Sequence, residues 1–218
     1  MTKNDIRLII FDLDGTLFNS IQSIVDSLQF TAQQFGYQIT NQQAEDVIGL
    51  ALPIALQTVL PTDDAEKKQA IFDCYVAHNI PHSQHDDWYA GIWQMLLDLK
   101  QAGFMLAIAT GKARKGLDRV LQRTQSEHLF TAMRGADEAL SKPNPLMLEQ
   151  ILNQTGLTAQ QAVMVGDSVY DMQMAENIAM PRIGVTYGVH NRERLLEHTN
   201  TVVDDVASLR EMLLALKD

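Results

Sequence analysis

A single cysteine, Cys74, stands in the 218-residue chain, so no disulfide can form within it and a packed core must hold the fold. Long apolar runs are missing: Gln, Asp, Lys or Arg interrupts each hydrophobic stretch short of the roughly 18 residues a membrane-spanning helix needs. The opening MTKNDIRLIIF lacks the apolar length of a secretory leader. A soluble protein in a reducing, cytoplasmic setting, with no membrane partner, is expected. Cations are scarce, with 17 Lys and Arg against 27 Asp and Glu and a formal net charge of −10. That balance argues against a nucleic-acid partner bound through its phosphates. Internal repeats and low-complexity tracts are absent as well. Apolar residues, by contrast, make up 46% of the chain, enough for one substantial core or for a core carrying a smaller inserted unit.

Short apolar runs at Leu8–Phe11, Phe104–Ala109, Ala162–Val165 and Ile183–Val185 read as buried parallel strands. Amphipathic helical patterns lie between them, such as Ile92, Met95, Leu96 and Leu99, or Leu117, Val120 and Leu121. The alternation predicts an α/β fold, a doubly wound parallel sheet with a Rossmann-like core. One helix shows both ends: Asn144 as cap, Pro145 in the first turn, Leu148, Ile151 and Leu152 inside, Gly156 as terminator. A last helix, Val206 to Leu216, carries the stripe Leu209, Met212, Leu213 and Leu216. Residues 17–90 break the alternation and read as helical throughout, with apolar spacings at Ile21–Leu28, Ala44–Ile48 and Ala70–Tyr75. This stretch holds two lysines, no arginine and nine acidic residues. A core of residues 1–16 and 91–218 with an all-helical insertion at 17–90 is expected.

In open α/β sheets ligands bind beyond the carboxyl ends of the strands, so the polar residues that follow each apolar run are the candidates for chemistry. The first run leads into Asp12-Leu13-Asp14-Gly15-Thr16, the second into Thr110-Gly111, a third into Gly166-Asp167-Ser168 with Asp171 beyond, and Lys142-Pro143 precedes the capped helix. Four converging carboxylates would repel unless a hard divalent cation lay among them, and an all-oxygen donor set favours magnesium over zinc. Such an ion together with Lys142 suits a phosphoryl group, with Thr110 orienting it, one carboxylate attacking phosphorus and Asp14 protonating the leaving oxygen.

In these four motifs, their order and their spacing, the chain resembles the haloacid dehalogenase superfamily of phosphatases, in its phosphoglycolate phosphatase-like branch, over nearly its whole length. The resemblance implies a magnesium-dependent phosphatase acting on a small phosphorylated metabolite, with Asp12 as nucleophile and Asp14 as the acid that later activates water. It implies magnesium bound by the Asp12 carboxylate, the Asp14 main-chain carbonyl and Asp167, with Asp171 in support, and a phosphoryl group held by Thr110, Gly111 and Lys142. The inserted helices would form a mobile cap. Asp14 excludes the haloalkanoate dehalogenases themselves, which lack an acid there. Because related caps often carry a cation for the far end of the substrate and this one has no arginine, specificity is expected to fall on Phe18, Asn19 and the stretch from Val47 through Gly49 to Pro53. That apolar lining favours a neutral-tailed monophosphate over phosphoglycolate.

Each motif alone has an ordinary structural explanation: Asp-Xaa-Asp-Gly is common in turns, Lys142 would be a solvated charge, and Gly166-Asp167 would be a helix cap. Their joint arrival at strand ends in one order favours the catalytic reading. Other patterns carry less. The Asp12 loop lacks the glycine and glutamate positions of a calcium loop, and Gly111-Lys112 lacks the preceding glycine of a P-loop. His78 and His82 stand at helical spacing but Pro81 is expected to interrupt the helix between them, and the methionines and Trp88 and Trp93 read as packing. A sugar-phosphate mutase of the same fold and a non-catalytic phosphoacceptor switch remain the alternatives, and monomer and homodimer are both open.

Overall fold

Six strands pair in the computed structural model, which describes residues 6–217; residues 1–5 of the expected core segment, and residue 218, lie outside the described residues. They are β1 (Leu8–Phe11), β2 (Met105–Ala109), β3 (Ala132–Arg134), β4 (Ala162–Gly166), β5 (Arg182–Val185) and β6 (Val202–Val203). All pairs are parallel, in the order β3-β2-β1-β4-β5-β6. The order reverses around β1, which puts the crevice for a ligand at the carboxyl ends of β2, β1 and β4.

Five α-helices lie between β1 and β2, and the first four are α1 (Ile21–Gln34), α2 (Asn41–Glu45), α3 (Leu52–Val59) and α4 (Ala65–His82). They bury a cluster of their own, including Val25, Leu28, Val47, Leu56, Ile71 and Tyr75. Local sequence sets their starts. Thr40 and Gln43 form a reciprocal capping box at α2, and the Asp64 carboxylate accepts the Glu66 and Lys67 N–H groups at α4. Against expectation, α4 runs through Pro81 to His82. The proline falls in the last turn, where its missing N–H removes one bond and little helix remains to be lost. The His78 and His82 rings stack 4.0 Å apart, and His78 bonds to Ser27 rather than joining a ligand set.

The remaining helices are α5 (Ile92–Gln101), α6 (Arg114–Thr124), α7 (Leu146–Thr155), α8 (Val169–Glu176), α9 (Arg192–Leu196) and α10 (Val206–Leu214). Alternate residues of the central strands enter two layers. Ile9, Phe11, Leu106, Ile108, Val163 and Val165 meet α5, α6 and α10, while Leu8, Ile10, Ala107, Ala109, Ala162 and Met164 meet α7 and α8. With both faces buried these strands have no polar side, which is why they read as continuous apolar runs. The expected helix after Lys142 starts at Leu146 with Pro145 as its cap residue, and Asn144 contributes by accepting the Leu146 N–H at 3.0 Å. It ends at Gly156, whose φ of 68° is left-handed. The last helix stops at Leu214, two residues short of expectation. Of its stripe, Leu209 and Leu213 are buried while Met212 and Leu216 pack at the edge. The aromatic pair divides: Trp88 packs on Phe18 at 4.3 Å between ring centres, whereas Trp93 is exposed.

Candidate active site

The β1–β4 ladder continues one residue past Phe11, since the Asp12 N–H donates to the Val165 carbonyl at 2.9 Å, and this fixes Asp12 at the strand end with 1% exposure. The chain then turns tightly: Leu17 and Phe18 both donate to the Leu13 carbonyl at 2.9 Å, and Gly15 donates to that of Phe18 at 2.8 Å. Gly15 sits at φ 82°, and a Cβ there would run into the Asp167 carboxylate, so both backbone conformation and close approach demand glycine. The turn brings Asp14 back beside the strand end. Ser20 donates to its Oδ1 at 2.7 Å, and Lys112 Nζ lies 3.1 Å from its Oδ2.

Three further segments meet Asp12. Lys142, fully buried, places Nζ 2.8 Å from Asp12 Oδ1 and 2.6 Å from Asp171 Oδ1. Asp171, in the first turn of α8, also accepts from Ser168 through Oδ2, from the hydroxyl at 2.6 Å and the N–H at 3.2 Å. Asp167 follows β4 and accepts from the Thr16 hydroxyl at 2.9 Å and the Val189 N–H at 2.8 Å. Thr110 follows β2, is buried, and accepts the Lys112 N–H at 3.1 Å, which leaves its hydroxyl proton free for a ligand.

Asp12, Asp167 and Asp171 offer oxygen atoms all within 4.8 Å of one another. Burial, and after it the neighbouring carboxylates against the pull of Lys142, pushes the Asp12 carboxyl well above its usual range. Burial and Asp171 push Asp167 up to about 7. Burial would lower Lys142, yet Asp12 and Asp171 hold it above its ordinary value. Three buried carboxylates facing one ammonium carry charge in excess, and an oxygen-only donor set of this kind fits a hard divalent cation.

A cavity of about 900 Å³ opens from this cluster toward the inserted helices, with Asp12, Asp14, Thr110 and Gly111 at its floor. Phe18, Gly49 and the stretch Val47–Pro53 line it, as expected. Asn19 does not; it is exposed, and its N–H is spent on the Asp87 carbonyl. The carbonyls of Gly49 and Leu50 rest on Gly111, closer than a Cβ would allow. The expected apolar lining is incomplete, because α6 and the loop before it also bring Lys112, Lys115, Arg119 and Arg123 to the cavity.

The sequence assigns no role to Thr16 or Lys112, which it shows only within motifs, and gives no sign of Ser20, Val189 or His190. Lys112 has a local signal, two residues beyond Thr110 at a strand end. His190 has none: it is buried, its Nδ1 accepts the Val169 N–H at 2.9 Å, and its own N–H donates to the Asp167 carbonyl at 3.2 Å. Burial, then Arg194, lowers its pKa to about 4, so it is a neutral acceptor at the start of α8. Among the described residues no helix is long and apolar enough to cross a membrane.

Comparison with known proteins gives a match to the family model described as haloacid dehalogenase-like hydrolase over residues 9–185. The chain is 34% identical over 211 residues to a phosphoglycolate phosphatase of Aliivibrio fischeri, covering 92% of this chain and 93% of that one. It is 31% identical over 225 residues to a phosphoglycolate phosphatase of Vibrio cholerae, covering 96% and 97%. A crystal structure described as a predicted phosphatase from Clostridium acetobutylicum superposes with a TM-score of 0.86 at 27% identity, over 96% of this chain and 99% of that one.

Proposed function

This chain belongs to the haloacid dehalogenase-like hydrolase family and is a phosphoric monoester hydrolase, and from that premise we propose a magnesium-dependent phosphatase that works through an aspartyl-phosphate on Asp12. The observation that carries this reading is the meeting of Asp12, Lys142, Asp167 and Asp171 in one buried cluster, whose Asp12 opens onto a cavity large enough for a small phosphorylated substrate.

Asp12 attacks phosphorus through one carboxylate oxygen, and the bond from phosphorus to the ester oxygen breaks on the opposite side. Asp14, held by Ser20 and Lys112, gives its proton to the departing oxygen. In the second half Asp14 takes a proton from water, the water oxygen bonds to phosphorus, and the Asp12–phosphorus bond breaks to release inorganic phosphate. Lys142 and the Thr110 hydroxyl hold the phosphoryl oxygens, and Gly111 permits the close approach of the loop above them. Asp12, Asp167 and the Asp14 carbonyl would hold magnesium, with Asp171 steadying Lys142 and Ser168. When bound, the ion neutralises phosphoryl oxygens and draws charge from phosphorus. Residues 17–90 act as the cap, an assignment supported by their separate apolar cluster and by their place as one wall of the cavity.

The test is phosphate release from a panel of phosphomonoesters, with and without magnesium, by the native protein and by Asp12→Asn. Magnesium-dependent release abolished in Asp12→Asn is the expected result. Release that survives the substitution would overturn the mechanism. Isomerised sugar phosphate without net phosphate release would turn the reading to a mutase.

A further inference from the structure

The basic side chains that line the cavity raise a question that the phosphoryl site does not answer. Lys112 is engaged with Asp14, and Arg123 is spent on the carbonyls of Gln84 and Asp86 at 3.1 and 2.7 Å. Arg114, on the far side of α6, pairs with Asp118 at 2.7 Å and with Glu138 at 3.7 Å. Lys115 and Arg119 are different. Both line the cavity, both are exposed, and among the described residues neither has a hydrogen bond or ion pair. They stand one turn apart, about 6 Å along the helix axis, on the face of α6 opposite the buried Leu117 and Leu121. The same cavity is also lined by apolar side chains of α1 and α4, among them Ile24, Leu28, Phe72 and Val76. A cavity of about 900 Å³ also far exceeds what a phosphoryl group and two carbons fill.

Resting on the phosphatase reading above, we propose that Lys115 and Arg119 form a second anion subsite, and that the substrate is a phosphomonoester whose leaving group joins an apolar body to an anionic end. The phosphoryl group lies on Asp12 and Lys142, the apolar body lies against α1 and α4, and the far anion, a carboxylate or a second phosphate, is received by α6. A charge-assisted pair with two cations beside an apolar wall discriminates more strongly than one in open water. The core thereby supplies the cation that the arginine-free insert lacks, and the expected preference for a neutral tail is reversed.

The experiment compares ω-carboxyalkyl phosphates with alkyl phosphates of equal chain length, four to eight carbons, by kcat/KM in the native protein, Lys115→Gln, Arg119→Gln and the double variant. The two side chains are exposed and unpaired, so their replacement leaves the fold intact. The native protein should favour the carboxylate series by about tenfold or more, less so in high salt. That ratio should fall toward one in the double variant and persist in Lys115→Arg with Arg119→Lys. Equal turnover of the two series by the native protein, or a preference that survives the double variant, overturns the subsite while leaving the phosphatase reading in place. No release from either series overturns both.

Discussion

Among the described residues Lys142 is the only ammonium that meets the three buried carboxylates, and its two contacts at 2.8 and 2.6 Å make it a structural as well as a chemical group. Replacing it with Met removes the one cation and leaves Asp12 and Asp171 buried without compensation. Loss of one partner of a buried pair costs about 3–5 kcal/mol, so Lys142→Met should lower the unfolding free energy from urea denaturation by that amount in chelator at pH 8. The deficit should shrink at pH 5, where the carboxyls take up protons, and magnesium should restore part of it. An unfolding free energy unchanged at pH 8 would mean that Lys142 does not compensate the cluster. Asp12→Asn acts in the opposite sense on stability. It removes one of the repelling carboxylates while abolishing turnover, by about 10³-fold or more, so a variant that is inactive yet melts no lower than the native protein is the expected signature of a nucleophile.

At the scale of elements, two contacts tie the site to its surroundings. Gly111, two residues past β2, lies beneath the loop that joins α2 to α3, and a Cβ on it would stand 2.6 Å from the Gly49 carbonyl oxygen and 2.7 Å from that of Leu50. Both are backbone atoms, and the loop is further pinned by Ser141 accepting the Ala51 N–H at 2.9 Å. Gly111→Ala must therefore lift the loop off the core. A displacement of this size near the reacting groups lowers rates by about 10²-fold, so kcat/KM should fall to that extent with little change in melting temperature; unaltered kinetics would show that the docked loop is not used in turnover. His190→Ala strips the half-buried Val169 N–H of its acceptor, at a cost of about 1 kcal/mol, to be read from chemical denaturation. These elements also mark what the sequence makes legible. The strands β1, β2, β4 and β5 are apparent because burial on both faces leaves unbroken apolar runs, whereas β3 and β6 are three and two residues long, sit at the sheet edges, and offer no run to see. Asp12, Asp14, Thr110, Lys142 and Asp167 are legible because each is marked by its own strand end or helix start. Thr16, Val189 and His190 are not, because Thr16 meets Asp167 only when β1 and β4 pair, and Val189 and His190 find theirs only when the loop after β5 folds back over β4, contacts with no local pattern.

For the whole molecule, charge is distributed against intuition: residues 17–90 hold no arginine and nine of the acidic residues, yet the cavity they help to line also receives the basic side chains of α6 and the loop before it and has an acidic floor that favours protons or metal. Asp167 has its carboxyl raised to about 7, and Asp12 is raised in the same direction, both by burial first, whereas in the unfolded chain these groups ionise near 4. Between those values the folded protein keeps protons that the unfolded chain has released, so folding stability falls as pH rises through the window. The favourable contribution is fully present below about pH 4 and is gone above the folded values. A divalent cation competes with those protons for the same oxygens and binds the folded form alone, so it stabilises most where the protons have left. In chelator the melting temperature should therefore decline between pH 5 and pH 8 more steeply than in Asp167→Asn, and millimolar magnesium should raise it more at pH 8 than at pH 5. Equal magnesium shifts at the two pH values, or a slope in chelator that Asp167→Asn leaves intact, would dissociate the carboxylate cluster from metal binding and remove the electrostatic reason for placing the ion there.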